Sequence, residues 1–214
     1  MARHRRLPWL PALSLIIGAC ASVARTVPQA PPADVQIKLA TLSRVWVAGF
    51  VSSHPSGTGP EFDLNAETVR LVRSQLRAWS SAQVVEAEPL VMDTERRLSD
   101  VAYWRVQGEE HGWPLIVTGS VKLHLAPPRV EQRGRQTMYF PTAGRVLEAT
   151  VVLIDGRSGE VLSTNKLPSR MRYGIGRFAS SLSLFLQMMD QAMPDWVTAI
   201  AAPSTGARGG ATIR

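Results

Sequence analysis

The chain has 214 residues, 45% of them hydrophobic, with 24 basic against 17 acidic side chains, a formal net charge of +7, and a single cysteine. That length gives one domain of moderate size with a substantial core, and one cysteine excludes an internal disulfide. The basic residues are mostly arginine and scattered, without the dense clusters and interleaved aromatics that track a nucleic-acid backbone, so no nucleic-acid role is expected.

Arg3, Arg5 and Arg6 form a positive start, Leu7 to Ile17 a short apolar run, and Gly18-Ala19 supply small residues directly before Cys20. A run of roughly 10 to 14 apolar residues is too short to span a bilayer of about 30 Å but suits the core of a signal peptide. Removing residues 1–19 takes away those three arginines and leaves 21 basic against 17 acidic side chains, or +4. Ile17-Gly18-Ala19-Cys20 resembles the lipobox of bacterial lipoproteins in position and residue type. The resemblance implies that Cys20 is the lipidation site, carrying acyl chains (palmitate among them) that hold the mature protein to a membrane. Stable anchoring takes more than one chain, at about 0.8 kcal/mol per buried CH₂. Ala21 in place of aspartate resembles the outer-membrane sorting signal of diderm bacteria, which implies the periplasmic face of the outer membrane.

Residues 20–43 include Pro28, Pro31 and Pro32 and read as a lipid-anchored extended tether. The folded domain is expected over 44–201, and 202–214 is expected to be a flexible tail. Val45 to Val51 is a nearly continuous apolar run, a strand covered on both faces. A helix is predicted from Asn65 to Trp79, with Asp63 or Asn65 as its cap and Val69, Val72, Leu76 and Trp79 on its apolar stripe. Gln83 to Ala87 reads as a second strand. Thr94 to Glu110 reads as one helix, with Leu98, Val101 and either Ala102 or Trp104 facing inward and Gly112 closing it. Leu115 to Val121 is the third strand.

Arg145 to Ile154 and Glu160 to Lys166 then form a predicted antiparallel hairpin across Asp155-Gly156-Arg157-Ser158-Gly159. A helix from Arg177 to Ala201 follows, with Phe178, Leu182, Phe185, Leu186, Met189 and Met193 on one face, and with Pro194 either kinking it or starting a new turn. The fold class is therefore α/β, a mixed sheet with a βαβαβ start, an antiparallel hairpin and a C-terminal helix.

This order resembles the curli secretion-channel lipoproteins, the amino-terminal domain of TolB and the lipoprotein activators of peptidoglycan synthases. The residues that carry the resemblance are Val45 to Phe50, Ile116 to Ser120, and Val152 to Val161 with its Asp-Gly-Arg-Ser-Gly-Glu turn. The implied function is binding to, or assembly with, other envelope components. Pore-forming relatives insert long amphipathic hairpins. Here Val121-Lys122-Leu123-His124-Leu125 alternates but is stopped by Ala126-Pro127-Pro128-Arg129, short of the roughly 9 to 11 residues of a membrane strand.

No catalytic, metal or cofactor constellation is read. His54, His111 and His124 lack metal spacing, Glu109-Glu110 is a solvated pair, and Ser120 sits in no nucleophile elbow. Gly174-Ile175-Gly176 lacks a dinucleotide fingerprint. The candidate partner site is the loop Pro127 to Pro141, where Arg129, Arg133, Arg135, Met138, Tyr139 and Phe140 supply interface-enriched types. The expected partner is another envelope protein or a second copy of the chain, with an envelope hydrolase as the remaining alternative.

Overall fold

The computed structural model describes residues 32–40, 42–53, 62–127, 129–140, 144–173 and 180–201. Cys20, His54, Phe178, the segment Gly174-Ile175-Gly176 and the tail 202–214 lie outside them. The α/β class with a mixed sheet holds. The elements are α1 (Ala33–Ala40), β1 (Arg44–Ser53), α2 (Leu64–Trp79), β2 (Gln83–Val84), α3 (Val101–Glu110), β3 (Leu115–Leu125), β4 (Arg129–Arg133), β5 (Gln136–Phe140), β6 (Arg145–Asp155), β7 (Val161–Lys166), β8 (Arg170–Arg172) and α4 (Ser181–Ala201).

The main sheet has the order β2-β1-β3-β6-β7, with β8 also paired to β6. Pairing of β1 with β2 and β3 is parallel, as the βαβαβ start predicts, and β3-β6-β7 is antiparallel. One face carries the larger core. Val45, Val47, Val117, Val121, Leu147, Val151 and Leu153 meet Val69, Val72 and Leu76 of α2 and Phe185, Met189, Met193 and Trp196 of α4. On the other face Trp46, Ala48, Ile116, Val152 and Ile154 meet Met92 and Trp104. Two covered faces explain the unbroken apolar run of β1.

Several boundaries differ from the sequence reading. The chain is already folded before Arg44, because α1 buries Val35 and Leu39 in the core with α4. Proline composition marked the approach to this segment, but Val35 and Leu39, four apart, share one helical face. The helix read over Thr94 to Glu110 is two pieces, a 3₁₀ turn Glu95–Ser99 and α3. Asp100 divides them, since its side chain accepts from Tyr103 N and caps α3 instead of continuing the helix. The phase shift leaves Val101 46% exposed and gives the inward position to the fully buried Trp104, whose Nε1 donates to Arg97 O at 2.8 Å. The second strand shrinks to Gln83–Val84, β8 is added, and α4 runs through Pro194 without a break.

A β-bulge in β1 accounts for three of the six buried polar side chains among the described residues, Asn65, Arg73 and Thr118. The register with β3 shifts between Val47 and Gly49, so Val45 and Val47 face the larger core, as does Phe50 beyond the bulge. The backbone groups freed there are served individually. Arg73 Nη2 donates to Val47 O at 2.8 Å, Leu90 N to Ala48 O at 2.7 Å, and Thr118 Oγ1 to Gly49 O at 2.6 Å. Asn65 Oδ1 accepts from Phe50 N at 2.8 Å. Arg73 is only 8% exposed, and its guanidinium is held below the ordinary arginine range by burial and then by the charge of Arg77. Arg73→Met removes one bond to a buried carbonyl while relieving the desolvation of a charge. The expected net loss is about 1–2 kcal/mol in urea unfolding, and an unchanged or raised midpoint would show that relief of charge burial outweighs the bond.

Candidate functional site

Five of the six candidate partner residues lie in strands and the sixth, Arg135, in the tight turn between them. Pro127, Pro128 and Pro141 suggested irregular chain, yet between them β4 and β5 form an antiparallel ribbon with Arg129 opposite Phe140, Val130 opposite Tyr139, Glu131 opposite Met138 and Arg133 opposite Gln136. Arg135 is in the two-residue turn after Gly134, whose φ is +63°. That turn chemistry was the missed signal, because Gly-X closes a type II′ hairpin.

The ribbon grows out of the central pair of the sheet. β3 and β6 pair from Leu115↔Asp155 to Leu125↔Arg145, and Ala126 N donates to Gly144 O at 3.0 Å one step beyond. Pairing resumes in β4 and β5 as a separate two-stranded sheet. Proline's missing N–H and fixed φ end one ladder before the next begins. Val130 is 51% and Met138 40% exposed, Arg135 is exposed, and Leu125 and Met171 are exposed at the ribbon's base.

A second feature lies on the sheet face that carries Trp46 and Ile116. The 3₁₀ turn packs on β3 and α3 on β6, and beside them the face of β3, β6 and β7 is left as an open groove of about 360 Å³. Ser120 on β3 pairs with Thr150 on β6, which pairs with Lys166 on β7, so these three form one cross-strand row. Lys122 pairs with Glu148 in the next row and bonds Glu95 of the 3₁₀ turn at 2.9 Å. Glu148 meets His124 at 3.2 Å. The groove was visible as the alternation of Ser120, Lys122 and His124 with Val121, Leu123 and Leu125.

The remaining candidates are dispersed. His111 stacks on Trp46 with ring centroids 3.8 Å apart, its Nδ1 2.9 Å from Gln107 O. Among the described residues no group of three or more His, Cys, Asp or Glu is arranged to hold a metal ion. Glu109 and Glu110 are exposed at the end of α3. Of the tryptophans, Trp46, Trp104 and Trp196 are core, Trp79 is half-buried, and Trp113 is 52% exposed beneath the Arg157 guanidinium at 5.6 Å. No described helix is long and apolar enough to cross a membrane.

No family model and no curated protein matches the sequence. Solved structures to which the chain is similar include lipoprotein GNA1162 from Neisseria meningitidis, at 13% identity over 68% of this chain and 92% of that one, with a TM-score of 0.33. Protein XCC0632 from Xanthomonas campestris is 12% identical over 82% of this chain and 89% of that one, with a TM-score of 0.37. A minor lipoprotein from Acinetobacter baumannii is 11% identical over 71% and 87%, with a TM-score of 0.28.

Proposed function

We propose that this chain is a non-enzymatic, lipid-anchored protein of the bacterial cell envelope, held through Cys20 at the periplasmic face of the outer membrane, whose domain binds another envelope protein through the β4–β5 ribbon. The observation that carries the reading is the ribbon itself, which continues the central β3–β6 pair and exposes Val130, Arg135 and Met138. A short two-stranded arm with apolar and arginine side chains in water gains by burying them against a partner. Its strands of five residues each are shorter than the roughly 9 to 11 of a membrane strand, which favours contact with protein over insertion.

The non-enzymatic part is supported by the positions of the two described histidines: His111 stacks on Trp46, His124 meets Glu148, and neither hydrogen-bonds Ser120 as a nucleophile's base would. One observation favours a second reading, a subunit of an oligomeric secretion assembly like the curli lipoproteins. β7 ends the sheet order with Val161 and Leu162 exposed, an edge that a second copy is able to extend.

Crosslinking of the lipidated protein in intact cells, with mass spectrometry of each shifted band, separates the readings. The adaptor reading predicts one heterologous band that weakens at least about tenfold on Met138→Asp, the size of a typical interface anchor. A ladder of self-multimers insensitive to Met138→Asp supports the assembly reading instead.

A further inference from the structure

The groove on the open face of the sheet has the donor set of a ligand site separate from the ribbon. Ser120 is 7% exposed, yet its hydroxyl faces the groove and has no hydrogen-bond partner among the described residues. Thr150 and Thr164 also line it with side-chain hydroxyls that bond no described residue, and Lys166 has no acidic partner there. These hydroxyls are open to the groove and unbonded within the described residues, so they are available to a ligand or to water. Three hydroxyls and one ammonium on neighbouring strands act here as donors.

Charge selects among acceptors. Lys122 is paired with Glu95, and Glu148 is in contact with His124, so Lys166 is the lysine of the groove with no carboxylate at contact distance among the described residues. A carboxylate can accept from the Lys166 ammonium with one charge, whereas a dianionic phosphate would meet stronger repulsion from Glu148. Directly opposed residues such as Ser120 and Thr150 have Cβ atoms about 4.5–5.5 Å apart, a span that the two oxygens of a planar carboxylate bridge with Lys166 alongside. Leu98, Val152 and Val161 add an apolar wall. At about 360 Å³ the volume is near the lower end of small-molecule sites, so the occupant is small.

We infer that this groove binds the carboxylate of a small amino-acid-like or peptide-terminal ligand with a short aliphatic side chain, through Ser120, Thr150, Thr164 and Lys166. The test is amide NMR of the full chain in detergent, titrated separately with N-acetylalanine, the neutral N-acetylalaninamide and inorganic phosphate. The expected result is saturable shifts at Ser120, Thr150, Thr164 and Lys166 with N-acetylalanine, and at least tenfold weaker binding of the amide. Lys166→Gln should weaken N-acetylalanine about tenfold, as expected for a charge-assisted bond. Thr164→Val should weaken it less, and both variants should keep the wild-type melting temperature because both positions are exposed. Equal affinity for acid and amide, tighter binding of phosphate, an unaffected Lys166→Gln variant, or no saturable shift would overturn the assignment. None of these outcomes bears on crosslinking at the ribbon.

Discussion

Replacing Gly119 by alanine should cost about 2–6 kcal/mol, a large share of the roughly 5–15 kcal/mol that holds a domain folded. Gly119 lies mid-way along β3 with φ at +147°, and a Cβ there would stand 1.9 Å from the backbone oxygen of Thr150. Both atoms belong to the β3–β6 pair that forms the centre of the sheet, so neither swings aside as a surface side chain would. Backbone strain of about 1–3 kcal/mol and overpacking of about 1–3 kcal/mol therefore fall on the same residue. Gly134 is the control. Its φ is also positive, at +63°, but nothing lies within 4 Å of its Cβ position, and Gly134→Ala should cost only about 1–2 kcal/mol. Urea unfolding of the two variants compares them directly, and equal losses would show that the contact with Thr150 relaxes without cost.

The second large effect is expected at Cys20. Cys20→Ala removes the thiol on which the proposed lipid is built, and no described helix is able to hold the protein in a bilayer in its place. Each acyl chain contributes about 0.8 kcal/mol per buried CH₂, so loss of all chains should move the protein almost wholly from the membrane to the soluble fraction. Its unfolding midpoint should not change, since the described core, from Val35 onward, does not include Cys20. Fractionation of cells that express the variant reads the effect, and continued sedimentation with membranes would sink the lipid-anchor reading.

What the sequence showed well is what burial imposes on pattern. The run from Val45 to Val51 gave a strand covered on both sides, and the Val69-Val72-Leu76 stripe gave a helix lying on the sheet. The Asp155 to Gly159 turn gave the β6–β7 hairpin. The misses arose where a local bond outweighed periodicity. Asp100 prefers to cap α3, which splits a helix that Leu98 and Val101 seemed to continue. Proline content hid both α1 and the ribbon, because it reports where backbone donors are missing and not what the residues between the prolines do. The bulge at Ala48–Gly49 has no periodic signature, since its stabilising groups, Asn65, Arg73 and Thr118, come from three separate stretches of chain. Among the partner candidates, residue type picked out the segment, while the pairing of Arg129 with Phe140 and of Glu131 with Met138 depended on a turn read as loop.

The ribbon as the surface that meets an envelope partner is the central claim, and site-specific photocrosslinking in intact cells tests it most directly. A photoreactive residue placed at Met138 on β5 is compared with one at Ser74, which is exposed on α2. The account predicts one discrete heterologous adduct from Met138 and none from Ser74. Adducts of equal yield from both positions, or none from Met138 while the protein remains membrane-bound, would contradict it.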